Sequence, residues 1–242
     1  MIPIFRKIRK KMAEDNRPLK YIRYAIGEIV LVVIGILIAL QINNWNQDRK
    51  DRAIEIQLLK NLRNSLVSDI QNQIEPIMKQ TELDLANISD IKKFLDQSPT
   101  YNDSMNIKFN TLMYSKNFTY EITSYKAMEN AGLQMIRNPE LKSKILKLYN
   151  MDYNEIQFSI SNFMNNVIAF FRPNMRQLFF FLDNNRENGY TPVDYEELRS
   201  NRDFKNNLIV CTENCTNLNE SINEVKQKVE SLISLIDKEL KQ

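Results

Sequence analysis

Glu28 stands inside an otherwise apolar run, and Cys211 and Cys215 stand four residues apart in a long amphipathic stretch. These are the side chains whose type and spacing could do chemistry. A carboxylate inside a membrane-spanning helix is costly and is by default a functional candidate. The plainer reading of Glu28 is a side chain about one turn, roughly 6 Å, beyond Tyr24, which reaches the headgroups or lies near Arg23. Two thiolates without His are too few for a structural zinc site, and their spacing is one longer than the redox Cys-x-x-Cys motif. On a helix, residues four apart lie about 6 Å apart at Cα, near the upper end for a bridge. Cys211 and Cys215 therefore read either as two small core residues or as a disulfide, within or between chains, and both readings stay open.

The rest of the composition removes chemistry. The chain has 242 residues and no His, so the commonest general base, nucleophile partner and metal ligand is missing. With 4 Gly, the loops that cradle phosphates are absent too. Carboxylates are plentiful but unpaired beyond helix background, and Glu224, Lys226 and Lys228 read as a solvated face. We expect a non-enzymatic protein with no catalytic residue, no cofactor and no metal. The 33 basic and 30 acidic residues leave a net charge of +3, which gives no reason to expect nucleic acid as a partner.

Charge distribution says more than its total. Arg6, Lys7, Arg9, Lys10, Lys11, Arg17, Lys20 and Arg23 precede residue 24, opposed only by Glu14 and Asp15. Residues 25–42 follow, apolar except for Glu28 and Gln41, with Tyr21 and Tyr24 at one end and Trp45 at the other, the amphipathic aromatics that favour headgroup level. From Tyr24 to Trp45 a helix climbs roughly 31 Å, about the hydrocarbon thickness of a bilayer. The positive-inside rule then predicts a basic cytoplasmic segment over residues 1–23, a transmembrane helix over 24–45 and an extracytoplasmic domain over 46–242. A cleaved signal peptide would need small residues where Ile38, Ala39, Leu40 and Gln41 stand. Ile4, Phe5, Ile8 and Met12 recur at helical spacing among the basic residues, which suits either an amphipathic helix on the inner leaflet or a solvated tail. Gly35 and Ala39 form a small-xxx-small pair with Gly27 on a nearby face, a candidate membrane helix contact with Glu28 at its edge. The partners to expect are the lipid bilayer, and a second copy or another envelope protein.

The run YAIGEIVLVVIGILIALQINNWN over residues 24–46, preceded by FRKIRK at 5–10, resembles a family of uncharacterised single-span proteins of flavobacteria and related Bacteroidota. The similarity extends to residues 124–132 and 136–141, where the family shows a "Leu-x-x-x-Gly … Ile-x-Asn-x-x-Leu" pattern. Met128 stands here where Leu is usual, a volume-conserving swap, and the last third of the chain matches only in being helical. The resemblance implies an inner-membrane protein of a Gram-negative cell with its large domain in the periplasm. It carries no catalytic residues across.

The elements of the outer domain are legible from spacing. With 4 Gly and 7 Pro there is little turn chemistry for sheets, so the fold class is all-α. Ile54, Leu58, Leu62, Leu66, Ile70, Ile74, Ile77, Leu85, Ile88, Ile91 and Leu95 predict one long helix, kinked or broken near Pro76 and ended by Ser98, Pro99 and Thr100. A polar, irregular stretch with a short helix around 108–114 follows, then a helix over 124–131 stopped by Gly132. Asn138, Pro139 and Glu140 start the next helix. Its stripe runs through Ile145, Tyr149, Tyr153, Ile156, Ile160, Phe163, Val167 and Phe170 until Pro173 breaks it. A short helix over 178–182 and a polar loop over 183–191 precede the cleanest seam, Phe204, Leu208, Cys211, Cys215, Leu218, Ile222, Val225, Val229, Leu232 and Ile236, stepping four and three. An elongated antiparallel, coiled-coil-like bundle is the simplest packing, with the last helix returning toward the membrane beside the first. The function expected is a membrane-anchored periplasmic scaffold or accessory interaction protein. The alternative is a ligand-sensing domain that signals through a separate membrane partner.

Overall fold

A computed structural model describes residues 18–113, 115–181 and 185–241, without the side chains of residues 18–21, Tyr24, Asn185 and Arg186. The N-terminal stripe of Ile4, Phe5, Ile8 and Met12, and the headgroup anchoring expected of the Tyr21 and Tyr24 rings, lie outside the described parts. The described chain is helical, with no strand; one isolated bridge pairs Phe179 with Pro192. It divides into two compact units, residues 1–55 and 56–242.

Helix α1 spans Pro18–Asp69. Within the first unit it is long and apolar enough to cross a membrane, by length and composition. Every side chain from Ile29 to Ile42 is exposed. The core helix of a soluble protein would be covered here, and this one is not.

In the second unit α1 passes through a π-helical turn, Ile70–Ile74, into α2, Glu75–Gln97. Short turns over Asp103–Leu112 contain α3, Asn106–Phe109. A non-helical strap, residues 115–122, leads to α4, Thr123–Ala131. Then come α5 (Pro139–Lys147), a second π turn (Leu148–Asp152), α6 (Tyr153–Asn166), a third π turn (Val167–Phe171) and α7 (Arg172–Leu178). Two small helices, α8 (Asn185–Asn188) and α9 (Tyr195–Ser200), precede α10, Arg202–Glu239.

Local chemistry sets the ends. Asn138 accepts from the N–H groups of Glu140 and Leu141, Asp194 from those of Glu196 and Glu197, and Asn201 from that of Phe204, each satisfying donors that a helix start leaves free. Gly132 ends α4 at φ 91°, where a side chain would be strained. Polar pairs set the packing. Arg63 meets Asp237, Glu75 meets Lys226, Lys92 meets Thr212 and Asp96 meets Lys205, so α10 runs against α1 and α2. Asn138 meets Glu239 and Asp152 meets Lys228, so α10 runs against α5 and α6 as well. All ten seam residues of α10 are buried between them.

Pro173 departs from expectation, and at Pro76 the helix takes the unbroken alternative. Neither Pro76 nor Pro173 ends its helix; each sits just after a π turn, with helix continuing beyond. A proline inside an α-helix removes a donor and drives its ring into the carbonyl four residues back. Here that carbonyl belongs to residue 72 or 169, inside the wider turn. The residue before each proline closes that turn, Glu75 N–H to the Ile70 carbonyl and Arg172 N–H to that of Val167. The extra residue also slips the stripe: Phe171 is 3 % exposed and Phe170 62 %, the reverse of the simple helical count. The short helix expected over 178–182 is likewise absent in its described part. α7 ends at Leu178, and Phe179 turns extended (φ −130°, ψ 150°) to bridge Pro192. The turn expected around 108–114 begins earlier, at Asp103, where Asn102 caps it.

Candidate functional site

The apolar stripe of α2 has two polar members, Thr81 and Asp84, both buried. Lys116 reaches them from the strap. Its Nζ pairs with Asp84 Oδ2, lies 3.5 Å from Thr81 Oγ1 and stands 5.3 Å from the centroid of the Phe163 ring. The side chains are 4 % and 1 % exposed, so this pair is out of water. Asp84 Oδ1 also accepts from Gln80 Nε2 at 2.8 Å. The strap thus fastens to α2 by a charge-assisted contact under an aromatic face.

A second fastening lies toward the other end of the strap. Asp69, buried at the end of α1, accepts from the Glu121 N–H at 2.8 Å and from the Tyr153 hydroxyl at 2.9 Å. Tyr120 stacks on Tyr153 and Tyr125 on Tyr149, both with ring centroids 4.4 Å apart, and Tyr149 donates to the Glu121 carbonyl at 3.2 Å. Burial pushes the Asp69 carboxyl up to about 6, although both hydrogen bonds pull the other way. The same burial, with Asp69 beside them, drives the Tyr149 and Tyr153 hydroxyls far above the ordinary phenol range.

Tyr149, Asp152 and Tyr153 are placed by the second π turn, the one among the described three with no proline after it. One side of this turn sends both tyrosines inward. The other forms a groove of about 490 Å³ with α10, floored by Leu148 and Leu232 and rimmed by Lys144, Lys147, Lys228, Asp152 and Glu224. Asp152 is buried and accepts from Lys228 Nζ at 2.8 Å.

The residues singled out from sequence fall elsewhere. Gly27 and Gly35 are open, with nothing within 4 Å of where a Cβ would stand, and Ala39 and Trp45 are exposed, while Glu28 is half-buried. Cys211 and Cys215 are free, buried thiols on the α10 seam. Burial raises them to about 12 and about 11, which keeps them protonated and poorly nucleophilic. Among the described residues no group of three His, Cys, Asp or Glu side chains gathers to hold a metal. Sequence reasoning missed Asp69, Asp84 and Lys116. The signal was the gap between Ile77 and Leu85, where Thr81 and Asp84 occupy stripe positions.

No curated protein and no solved structure matches the chain. Residues 28–168, more than half of the chain and the part that holds Asp69, Asp84, Lys116, Tyr149 and Tyr153, match a family of unknown function, DUF6090, and the chain belongs to that family.

Proposed function

We propose that this chain is a non-enzymatic scaffold or accessory interaction protein of the bacterial inner membrane. Its N-terminus is cytoplasmic, and its helical domain is an elongated antiparallel bundle in the periplasm. The observation that carries the reading is the uncovered apolar helix. Residues 29–42 have no protein cover within their unit, and eight basic residues stand before them. The buried polar groups support the non-enzymatic part, since Asp84 with Lys116, Asp152 with Lys228, and Asp69 with Tyr153 satisfy one another. Exposed Met151, Phe158 and Phe170 on α6 and its flanking π turns offer apolar contacts to a partner.

Affinity capture of the full chain from gently solubilised membranes, with a C-terminal tag whose compartment is read in the same cells, tests this reading. A stoichiometric envelope partner and a periplasmic tag are the expected results. A cytosolic tag, or a full-length chain that stays in the supernatant without detergent, would overturn it. A self-associated span is the simplest partner for the Gly27, Gly35 and Ala39 face. Gly35→Ile should then abolish the chain-to-chain crosslink in membranes.

The groove beside Leu148 and Leu232 favours one second reading, a ligand-sensing domain that signals through a separate membrane protein. A small molecule that co-purifies at one per chain, in place of a protein partner, would select it.

A further inference from the structure

Asp69 does something that neither anchoring nor scaffolding requires. Its carboxylate is buried among aromatic rings, the Glu121 carboxylate acts on it as a like charge, and its two hydrogen bonds join three separate parts of the chain. α1 supplies the carboxyl, the strap supplies the Glu121 N–H, and α6 supplies the Tyr153 hydroxyl. The groups acting on it are Glu121 on the strap and Tyr149 and Tyr153 across the second π turn, with Tyr120 and Tyr125 stacked on those two rings. α10 also packs on the Ile70–Ile74 turn, but it sets Lys226 on Glu75 and Lys228 on Asp152. Among the described residues no cation therefore neutralises Asp69 in the way that Lys116 neutralises Asp84 a few turns along.

We propose that Asp69 is a proton-operated latch on the strap, holding the segment around Tyr120 and Glu121 closed over the tyrosine cluster when protonated and loosening it when ionised. In the closed state the carboxyl is buried without a counter-charge; when the strap lifts, water reaches it. Closing therefore takes up a proton, and the closed state is favoured by acid. The shift works between the ordinary carboxyl range near pH 4 and the raised value near 6, and levels off above that. No histidine is present to titrate in the same range. The strap's far end stays fastened through Lys116, so what loosens is the segment around Tyr120 and Glu121. Lifting it uncovers the rings of Tyr149 and Tyr153, an aromatic surface that is otherwise buried. A compartment whose pH follows the cell exterior would thereby change the surface offered to partners.

Hydrogen exchange by mass spectrometry on the full chain in neutral-lipid nanodiscs tests this, with labelling times scaled for the intrinsic pH dependence of exchange. Peptides covering residues 117–125 should lose roughly tenfold or more of their protection between pH 4.5 and 7.5, while peptides from α10 stay unchanged. Asp69→Asn keeps an acceptor for Glu121 and mimics the neutral acid, so its strap should stay protected at every pH. Tyr153→Phe removes a hydrogen bond that favours the ionised form, so the upper end of its profile should move to higher pH. A flat wild-type profile overturns the latch, as does an Asp69→Asn strap that exchanges freely at both pH values in an otherwise folded protein. If Asp69→Asn does not fold, the wild-type and Tyr153→Phe profiles decide: coincident midpoints overturn the proposal.

Discussion

Replacing Lys116 with Met should be one of the most damaging single changes in the domain, and replacing its partner as well should repair most of the harm. The ammonium and the Asp84 carboxylate are 4 % and 1 % exposed, so neither can turn to water if the other is removed. Breaking a buried pair from one side costs about 3–5 kcal/mol, because a charge is left uncompensated. Asp84 keeps the Gln80 amide at 2.8 Å, which places the loss for Lys116→Met near the lower figure, about 3 kcal/mol. Asp84→Leu leaves the lysine with Thr81 at 3.5 Å and the Phe163 face, a poorer set of partners, so its loss should be the larger, about 4 kcal/mol. In a domain of this size each kcal/mol moves the melting temperature by roughly 2–4 °C, so the single variants should melt roughly 6–16 °C below wild type. The double variant Asp84→Leu/Lys116→Met fills the same space with apolar groups and should melt within a few degrees of wild type. Thermal unfolding of the detergent-solubilised chain, followed by far-UV circular dichroism, reads all four proteins. If the losses of the two single variants simply add in the double, the pair is not coupled and the account of the strap's fastening is wrong.

Three other outcomes follow from the same geometry. Phe171→Ala should cost about 3–5 kcal/mol and Phe170→Ala less than about 0.5; equal losses in urea unfolding would contradict the slipped register at the third π turn. Cys211 and Cys215 should resist iodoacetamide at pH 8 in the folded protein and react once it is unfolded, because burial holds the thiols near about 12 and 11; rapid native labelling would show that the α10 seam opens. Asp69 binds its proton more tightly folded than unfolded, at about 6 against an ordinary 3.8, so its share of stability is present below pH 4 and lost as pH rises through 6. The loss is at most about 3 kcal/mol, and it should appear in full as a change in the difference between wild type and Asp69→Asn when urea midpoints are compared across that range; a difference that does not change with pH refutes it.

How much of this was legible in the sequence turns on what each residue must agree with. The α10 seam could be read in full, Phe204 through Ile236, because one helix packing along its whole length needs only its own period to be right. Asn138 and Gly132 could be read as helix boundaries for the same reason: a cap is satisfied within a few residues. The helical count puts Phe170 on the stripe and is wrong there, since it fails at the π turn and nothing between Val167 and Phe171 announces an added residue. Proline gave only half of that signal. Pro76 and Pro173 say that a carbonyl four residues back must move, and breaking the helix or widening one turn answers the demand equally well; packing against α10, which contacts both of these turns, selects the wider turn. The strap is the hardest case. Lys116 and Asp84 are ordinary surface residue types, and only the interruption of the stripe at Thr81 and Asp84 betrays that a charge is wanted inside. Asp69 leaves a fainter trace still, because Ile70 beside it keeps the apolar period intact. Its burial is fixed by Tyr153 and by the Glu121 amide, contacts 84 and 52 residues distant along the chain. A group whose titration depends on partners that far away has no local signature, so a carboxylate with a raised pKa was beyond the reach of spacing alone, while the helices that enclose it were not.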